Sequence, residues 1–510
     1  MKQRLRSAGL VLLSLLLGVP GLQAGSKNPP PREEFIFESL LANVSQPPVK
    51  DKIAGMLVPS STDLNANQLT VFSYATLKKH RFETILFLYT APPIEEEGVT
   101  MPLSASIDTK FGTLEVDDDI RERLLGSDTR FRLDDEAHKW SQTAQLNFNL
   151  IKYTYKKKTP KILPIAIALS KPEMSKELAV YIVRALAEPG QERKKTLIIF
   201  AANLTKGLDR FETDVIDGRL LTNMELMDGN NIMDDAEKVY KGNPFSSSYP
   251  DLGPLLTGVF CMNELLASKG YTLIYGNTGQ FPLAKKEDMK SAVGMAATAF
   301  TFGVVNPLEI TADRSQKLFR ELEKDFDALL KIARTSIAHA LEPSLKSFPK
   351  APKIARKTFP VYVSILKEDR VIGHSGSIDI QGTLEGSLKY HAARAAFNET
   401  RNPVLSFQDL DNVIIKLSIP TEPEIVEAHQ IVSNRDGVLM NYRNRRNSLL
   451  PDDWTRFPHR CVFLSELAAQ CGLEPWRWKT EGAVLSTFQA VIARDKSLGE
   501  QPPSSSEEPY

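Results

Sequence analysis

Short, continuous apolar runs recur between about Lys52 and Phe302, and they restrict the possible folds of this chain more than any other feature. Helix-length stretches such as KELAVYIVRALA separate several of them. Strands that are buried on both faces form unbroken apolar runs, as in a parallel sheet covered by helices on each side. The sequence therefore predicts an α/β region with a mostly parallel sheet and flanking helices. Its candidate strands are KIAGMLVP, FETILFLYT, KILPIAIAL, KTLIIFAANL and YTLIYGN.

A second region follows a long helical pattern, TADRSQKLFRELEKDFDALLKIARTSIAHALEP, for which Asp313 is the expected N-cap. A basic, proline-containing link then leads into further strands and helices of α+β type. We predict domains at residues 51–305 and 312–495, the second including this opening helix. The last segment, residues 496–510, is rich in Ser, Pro and Glu and is predicted to be disordered.

The first residues have the pattern of a bacterial export signal. An apolar core, AGLVLLSLLLGVPGL, is followed by a small-residue cleavage site after Ala24. We predict a signal peptide at residues 1–24, a polar, proline-rich lead at 25–50, and a periplasmic or secreted protein. Uncleaved, this segment is the one place where we expect membrane contact. Three basic residues precede the apolar core: Lys2, Arg4 and Arg6.

Charge and cysteine content exclude some classes of protein. Lys plus Arg and Asp plus Glu both total 63, so the net charge is zero and gives no overall attraction to nucleic acid. Cys461 and Cys471 lie in one helical pattern, where ten residues correspond to about 15 Å, too far for a disulfide. Together with Cys261 they are predicted to be buried thiols.

The first domain resembles the Memo family, whose fold is similar to the LigB-type subunit of extradiol dioxygenases. The resemblance rests on the order of several landmarks: GMLVP, FGTLEVDDDIRERLL, LPIAIAL, LIIFAANL, TGVFCMNELL, YGNTG and SAVGMAATAF. It covers almost the whole first domain. By this resemblance we expect the scaffold of a metal-binding α/β protein.

The resemblance does not extend to the family's metal ligands. The family's Pro-His-Ala-Gly turn corresponds here to a turn that contains Ser60, and its later Cys-Gly pair corresponds to Thr257 and Gly258. Hydroxyls do not replace the imidazole and thiolate ligands of a transition metal. The resemblance therefore implies a degenerate site, and we expect no metal and no cofactor. The former metal positions are Ser60, Trp140 and Thr257.

Only two histidines occur in the first domain. His80 follows two lysines and is interpreted as a solvated helix end, whereas His138 is an alternative, displaced metal ligand.

The second domain resembles the AMMECR-type domain, the partner module of the AmmeMemoRadiSam system. The resemblance covers about Leu318 to Asp495, through LLKIARTSIAHALE, AARAAFNETRNPV, VIIKLSIPTEPEIV, GVLMNYRNRRNSLLPDDW and CVFLSELAAQCGLEPWRW. The family's Leu-Arg-Gly-Cys-Ile-Gly turn corresponds to RVIGHSGSID, in which His374 takes the cysteine position and Ile372 the arginine position. The radical enzyme of that system is ordinarily cytosolic, so an exported chain is not an obvious partner for it.

The loss of ligand residues in both halves favours a non-catalytic binding or scaffold protein over an enzyme. We expect an unknown protein or a small anionic ligand as its partner, and no nucleic acid. Arginine clusters can hold a carboxylate or phosphate through paired hydrogen bonds. The candidate binding residues are His374, Ser375, Ser377, Arg443, Arg445 and Arg446.

Two enzymatic alternatives remain open at the level of sequence. The first is a serine hydrolase with Ser375, His374 and Asp379, although the frame GHSGS lacks the second glycine position of a nucleophile elbow. Adjacent residues of a strand also point to opposite faces, which separates this histidine from the serine.

The second alternative is a rearranged metal or redox site. It would use a set of histidines with Asp or Glu: His374, His391 and His459.

Overall fold

The structure is a computed structural model. The signal peptide, all but one residue of the lead, the Asp313 cap and the 496–510 tail lie outside the residues it describes. Those residues are 49, 51–60, 64–90, 98–156, 158–169, 171, 173–187, 195–239, 251–303, 314–344, 347–368, 370–380, 382–397 and 402–495.

The chain divides into two compact units, which we call unit 1 and unit 2. Unit 1 contains the chain up to Pro307 together with Asn441–Arg445 and Trp454–Ala483. Unit 2 contains Leu308–Met440, Arg446–Asp453 and the chain from Val484 onward. By packing, the segment 454–483 therefore belongs to unit 1, although the sequence places it within the predicted domain 312–495.

The central sheet of unit 1 has the order β10-β11-β1-β8-β2-β7-β3-β6, and β9 pairs with β11. Its middle strands β1, β8, β2 and β7 are parallel neighbours, which confirms the predicted fold class. The strands are β1 Lys52–Val58, β2 Thr84–Thr90, β3 Gly98–Met101, β4 Ser106–Thr109, β5 Gly112–Glu115, β6 Phe131–Leu133, β7 Lys161–Ala168, β8 Thr196–Ala201, β9 Lys206–Leu208, β10 Lys269–Asn277 and β11 Ala292–Phe302.

All five apolar runs singled out in the sequence form strands, namely β1, β2, β7, β8 and β10. The side chains of β2 from Ile85 to Tyr89 are almost fully buried, as expected for a strand with helices on both faces. The β10 run differs in direction, because it pairs antiparallel with β11.

Helices flank the sheet of unit 1 and part of unit 2. The long helix expected around residue 320 is divided, since a 3₁₀ turn at Glu323–Asp325 separates α10 from α11. The helices are α1 Leu64–Leu77, α2 Asp118–Leu125, α3 Glu136–Lys139, α4 Gln142–Thr154, α5 Glu173–Arg184, α6 Arg210–Glu225, α7 Gly229–Val239, α8 Leu252–Glu264, α9 Lys286–Lys290, α10 Ser315–Leu322, α11 Phe326–Leu341, α12 Leu384–Ala395 and α13 Arg460–Gln470.

Most residues of two further four-stranded sheets belong to unit 2. One has the order β13-β12-β14-β19 and packs its apolar face against α11 and α12. The other has the order β15-β18-β16-β17. The strands are β12 Val361–Lys367, β13 Arg370–Ser377, β14 Ile414–Pro420, β15 Glu424–Ile425, β16 Gly437–Tyr442, β17 Arg445–Leu449, β18 Ala483–Phe488 and β19 Ala490–Arg494.

The segment RVIGHSGSID, expected from the resemblance to be a turn, instead forms the antiparallel strand β13 over Arg370–Ser377, paired with β12. Its two glycines allow neighbouring groups to pack closely against the strand backbone. A Cβ at Gly373 would lie 2.1 Å from the backbone oxygen of Ala395 in α12, and one at Gly376 would lie 2.2 Å from the ring of Tyr362. The two glycines therefore let a helix and an aromatic ring pack directly on the strand.

Within the described residues, no helix has the length and apolarity needed to cross a bilayer. The three cysteines are free thiols. Cys261 and Cys461 are buried as predicted, whereas Cys471, at the end of α13, is only partly buried.

Candidate functional site

One polar cluster of unit 1 lies where parallel strands end. The strands β1, β2 and β8 run parallel, so their carboxyl ends meet at one edge of the sheet, the usual ligand side of an α/β fold. Ser60 follows β1, Thr90 ends β2, and Asn203 follows β8. Asp251 is the N-cap residue of α8. We call these four residues the strand-edge cluster.

Asp251 is the centre of the strand-edge cluster. Its carboxylate accepts hydrogen bonds from the Thr90 hydroxyl at 2.6 Å and the Asn203 backbone N–H at 2.9 Å. The Ser60 hydroxyl donates to the same oxygen as Asn203. Asp251 is only 5% exposed, so these donors take the place of water around a buried carboxylate. The arrangement ties together the ends of three strands and the start of one helix.

The strand-edge cluster does not fit a transition metal. It offers two hydroxyls, a backbone N–H and one carboxylate, and all three donors already point at the carboxylate oxygens. Imidazole or thiolate ligands, which such metals prefer, are missing from this set. Across the part of the chain that the structure describes, no group of three or more His, Cys, Asp or Glu side chains could hold a metal ion.

Of the three predicted former metal positions, only Ser60 belongs to the strand-edge cluster. Trp140 ends α3 with 75% of its surface exposed, and its ring N–H donates to Glu136 at 2.9 Å. Thr257 is buried in the middle of α8. Neither residue donates to Asp251. Asp251 itself was not identified from the sequence. Its place immediately before an apolar helical pattern, as an acidic N-cap, is the signal that points to it.

His138 is a buried, neutral histidine. Its Nδ1 lies 2.6 Å from the Tyr89 hydroxyl, and burial lowers its pKa to about 4. This contact with a phenol supports a structural role in preference to the displaced metal ligand considered from the sequence.

A second buried polar cluster of unit 1 surrounds Tyr275. The Tyr275 hydroxyl lies 3.0 Å from one oxygen of Asp214 and 2.9 Å from one oxygen of Asp217. The amide groups of Asn277 and Gln280 donate to Asp214 at 2.7 and 3.1 Å. Sequence reasoning did not identify these residues, because two acids three positions apart on a helix usually face solvent.

Burial dominates the acidity of this carboxyl pair. It raises the pKa of Asp217 to about 7, although hydrogen bonds from Thr205 and Tyr275 act in the opposite direction. Burial also raises the pKa of Asp214, with a further contribution from Glu466. At least one carboxyl is therefore expected to hold a proton at mildly acidic pH.

In unit 2, His374 lies on the face of the sheet that points away from α12. Its Nδ1 is 3.0 Å from the Ser364 hydroxyl on β12. Burial by the surrounding protein lowers the pKa of His374, the positive charge of Lys416 lowers it further, and Asp452 acts in the opposite direction. Lys416 forms an ion pair with Asp452 and is only 4% exposed.

Ser375 points to the opposite face of β13 and does not meet His374. Its hydroxyl is instead 3.0 Å from Nδ1 of His391 on α12, and both residues are buried. Asp379 forms an ion pair with Arg446 rather than orienting a histidine. The proposed Ser375, His374 and Asp379 hydrolase triad is therefore not assembled. Ser377 caps the following turn by accepting the Asp379 backbone N–H at 3.0 Å.

The three arginines do not converge as a clamp. Arg443 lies in the β16–β17 turn with its guanidinium 5.4 Å from the centroid of the Tyr442 ring. Arg445 donates to the carbonyls of Cys471 and Gly472. Arg446 points to the other face of β17 and pairs with Asp379. Two of the three side chains are therefore occupied by the protein itself.

The histidines of the alternative metal site also have other partners. His374 contacts Ser364 of β12 on one face of the sheet, and His391 contacts Ser375 of β13 on the other. His459, in unit 1, lies 3.2 Å from a carboxylate oxygen of Glu225. Burial alone would lower the pKa of His459, but hydrogen bonds with Cys461 and Glu225 outweigh it and raise the value to about 9. His459 is thus a buried ion-pair partner.

Comparison with known proteins agrees with this two-part composition. Protein MJ0810 of Methanocaldococcus jannaschii is 28% identical over 114 residues, which cover 21% of this chain and 57% of that protein. A MEMO1 family protein of Methanococcoides burtonii is 21% identical over 232 residues, covering 45% of this chain and 82% of its own length. This chain spans little more than half of the first archaeal relatives it matches.

Among solved structures, the uncharacterised protein JW3007 of Escherichia coli K12 matches 48% of this chain and 99% of its own, with 12% identity and a TM-score of 0.33. The AMMECR1 family model matches residues 330–493. The model of the Memo-like protein family matches residues 24–294, more than half of the chain. The chain therefore belongs to the Memo-like protein family and carries an AMMECR1 domain in addition.

Proposed function

We propose that this protein is a non-catalytic binding or scaffold protein, exported from a bacterial cell, in which the metal site of a Memo-like scaffold has become a hydrogen-bonded cluster. The observation that carries the proposal is the strand-edge cluster. There, three donors from three different strand ends satisfy the single carboxylate of Asp251.

The strand-edge cluster can replace the structural effect of a metal without its chemistry. A bound ion cross-links the chain segments that supply its ligands. Here a carboxylate provides the same cross-link through hydrogen bonds to Ser60, Thr90 and Asn203. The base that these hydroxyls contact is Asp251 itself, whose carboxylate also holds the Asn203 N–H, so the strand-edge cluster lacks the separate, oriented base that activates a hydroxyl nucleophile. This argument favours binding over catalysis.

Metal analysis tests this proposal. The mature protein is purified from its native compartment without a metal-binding tag, and iron, copper and zinc are measured by mass spectrometry. We expect each metal far below one per chain, and a melting temperature that a chelator does not change. One metal per chain, lost in Asp251→Ala and retained in the exposed-residue control Asp234→Ala, would contradict the proposal.

Export requires its own measurement. Cell fractionation followed by N-terminal sequencing is expected to give a mature chain in the periplasm or medium that begins at Gly25. A full-length chain recovered from the cytosol would show that the export prediction is wrong.

A further inference from the structure

An open groove in unit 2 lies between α10 and β19 and has a volume of about 310 Å³. Phe319 lines it on the helix side and Ile492 on the strand side, and these apolar side chains are 43% and 38% exposed. Arg320 lines the groove as well, and none of the described residues along it is acidic. We call it the α10–β19 groove. It combines exposed apolar surface with positive charge.

The α10–β19 groove follows the edge of a sheet. β19 is the last strand in the order β13-β12-β14-β19, so β14 is its one neighbour among the described strands. Val491 and Ile492 both line the groove, although the side chains of successive strand residues point to opposite faces. A groove that reaches both of them lies along the free edge of β19. The start of α10 borders this edge, because the Gln489 side chain accepts the backbone N–H groups of Arg314 and Ser315 at 2.6 and 2.9 Å.

Backbone hydrogen bonds show which residues of β19 face its free edge. The Gln489 carbonyl accepts the Thr421 N–H at 2.7 Å, and the Asp495 N–H donates to the Ile415 carbonyl at 3.1 Å. Both bonds point toward β14, and the register between the two strands is continuous. In an antiparallel pair, successive residues direct their backbone groups alternately to the two edges of the strand. The odd-numbered residues from 489 to 495 therefore point to β14.

The even-numbered residues of β19 point away from β14. Ala490, Ile492 and Arg494 thus direct their N–H and C=O groups to the free edge, and these groups have no partner in the part of the chain that the structure describes. A row of unpaired backbone groups on an edge strand is a template for a further strand. An extended peptide that paired with it would lay alternate side chains against α10.

Charge favours an acidic occupant of the groove. Arg320 and Arg494 are exposed, and neither forms an ion pair with another described residue. The carboxylate of Asp495, which follows β19, is held by Arg334 at 2.6 Å. A second copy of this chain would bring the same positive edge against itself, whereas the acidic side chains of a different partner would offset the charge.

We propose that the α10–β19 groove binds an extended peptide segment of a partner protein that carries both apolar and acidic side chains. The peptide pairs with the free edge of β19 as an added strand. On one face its side chains meet Phe319 and Arg320, and on the other they meet Ile492 and Arg494. The proposal rests on the binding role proposed above and gives it a place and a class of partner. The two proposals fail separately, because metal content reports on unit 1 and peptide binding on unit 2.

Fluorescence anisotropy with the full-length protein tests the α10–β19 groove. The probe is a fluorescein-labelled peptide that repeats two valines followed by two glutamates, so that each face of the extended chain carries both kinds of side chain. We expect saturable binding. A peptide with lysine in place of glutamate should not bind. A peptide N-methylated on its central backbone nitrogens cannot form the strand hydrogen bonds and should bind about tenfold or more weakly.

Two variants of the protein separate backbone pairing from charge. Ile492→Pro removes one outward N–H but no hydrogen bond to β14, a change that edge strands tolerate, and should weaken peptide binding about tenfold. Arg320→Gln should weaken it about two- to fivefold, the usual effect of losing an exposed ion pair. Melting temperatures check that both variants fold. If Ile492→Pro does not fold, the N-methylated peptide tests the same hydrogen bonds.

The matched control is Lys317→Gln, which removes an exposed positive charge from α10 outside the groove. It should bind the peptide as the unmodified protein does. No saturable binding to the unmodified protein would overturn the proposal, and so would equal affinity for the N-methylated peptide. Light scattering after size-exclusion chromatography should give the same mass for the unmodified protein and Ile492→Pro. A dimer that Ile492→Pro converts to a monomer would show that a second copy occupies the edge, contrary to the proposal.

Discussion

Tyr275 has one hydroxyl proton and two carboxyl neighbours, Asp214 and Asp217. It can donate to only one of them, so the second contact requires a proton on a carboxyl group. Asp217 is well placed to hold it. One of its oxygens accepts both the N–H and the hydroxyl of Thr205, at 3.0 and 2.8 Å, while the other faces only Tyr275. This accounting agrees with a pKa of about 7 for Asp217, raised by burial.

The first prediction concerns Asp217→Asn. The pKa of Asp217 rises from 3.8 to about 7 on folding, so the native state binds the extra proton and stability falls as pH increases through this interval. The free energy of unfolding should fall by about 1.36 kcal/mol per pH unit in this interval, or at most about 4 kcal/mol in total. Asn is uncharged and can keep the contacts with Thr205 and Tyr275. Urea unfolding across this pH range should therefore show the slope reduced in the variant.

The exposed-residue substitution Asp411→Asn is the control, and it should follow the unmodified protein. If the unmodified protein and Asp217→Asn gave parallel curves of unfolding free energy against pH, the shared proton would not exist.

At the scale of elements, α6 is a helix that the segment 454–483 covers closely. Asp209 caps its first turn, accepting the N–H groups of Phe211 and Glu212. In the middle of the helix, a Cβ added at Gly218 would lie 2.7 Å from Cγ of Pro458. Glycine usually destabilises a helix interior, but here it permits contact with a rigid proline ring.

Gly218→Ala should therefore destabilise the protein, by roughly 1–3 kcal/mol, the usual effect of overpacking. In an open helix the same change stabilises by about 1 kcal/mol. Gly386→Ala in α12 is the matched control, since its added Cβ would meet nothing closer than the Thr383 hydroxyl oxygen at 3.5 Å. Urea unfolding should give opposite signs for the two variants. A stabilising Gly218→Ala would mean that Pro458 does not pack on α6.

What the sequence could reveal depended on how far apart the interacting residues are. Buried strands such as β2 and β7 were predictable because a run of apolar residues is a local signal. The contact of Ser60 with Asp251 joins positions 191 residues apart, and no local pattern specifies it. The pairing of His374 with Ser364 follows from the β12–β13 register, which the expectation of a turn at this segment could not supply.

At the scale of the whole molecule, the order of the sequence and the order of packing differ. After Pro307 the chain returns to unit 1 twice, as Asn441–Arg445 and as Trp454–Ala483. The second of these segments, Trp454–Ala483, packs into the core of unit 1. Trp476 belongs to the core of unit 1, with its ring centroid 5.5 Å from that of Phe281. The Ser465 hydroxyl donates to the Tyr275 carbonyl at 2.6 Å.

Charged groups hold the same segment. Glu466, 3% exposed, pairs with Arg210 of α6, and His459 pairs with Glu225 at the end of that helix. Breaking a buried pair leaves an uncompensated charge, which typically costs several kcal/mol. Removal of the segment would also uncover the apolar surface around Phe281. Unit 1 is therefore incomplete without residues that the sequence places in the second domain.

The last prediction follows from this interleaving. A protease site inserted between residues 304 and 313 of the full-length protein allows one cut between the two predicted domains. The two fragments should still elute together from a size-exclusion column in native buffer and separate only in denaturant, because the downstream fragment supplies part of the unit 1 core.

A cut within residues 496–510 is the control and should release only the tail. Adding Gly218→Ala should lower the denaturant concentration needed for separation, which ties the association to the segment 454–483. If the two fragments eluted separately in native buffer, unit 1 would be stable without that segment.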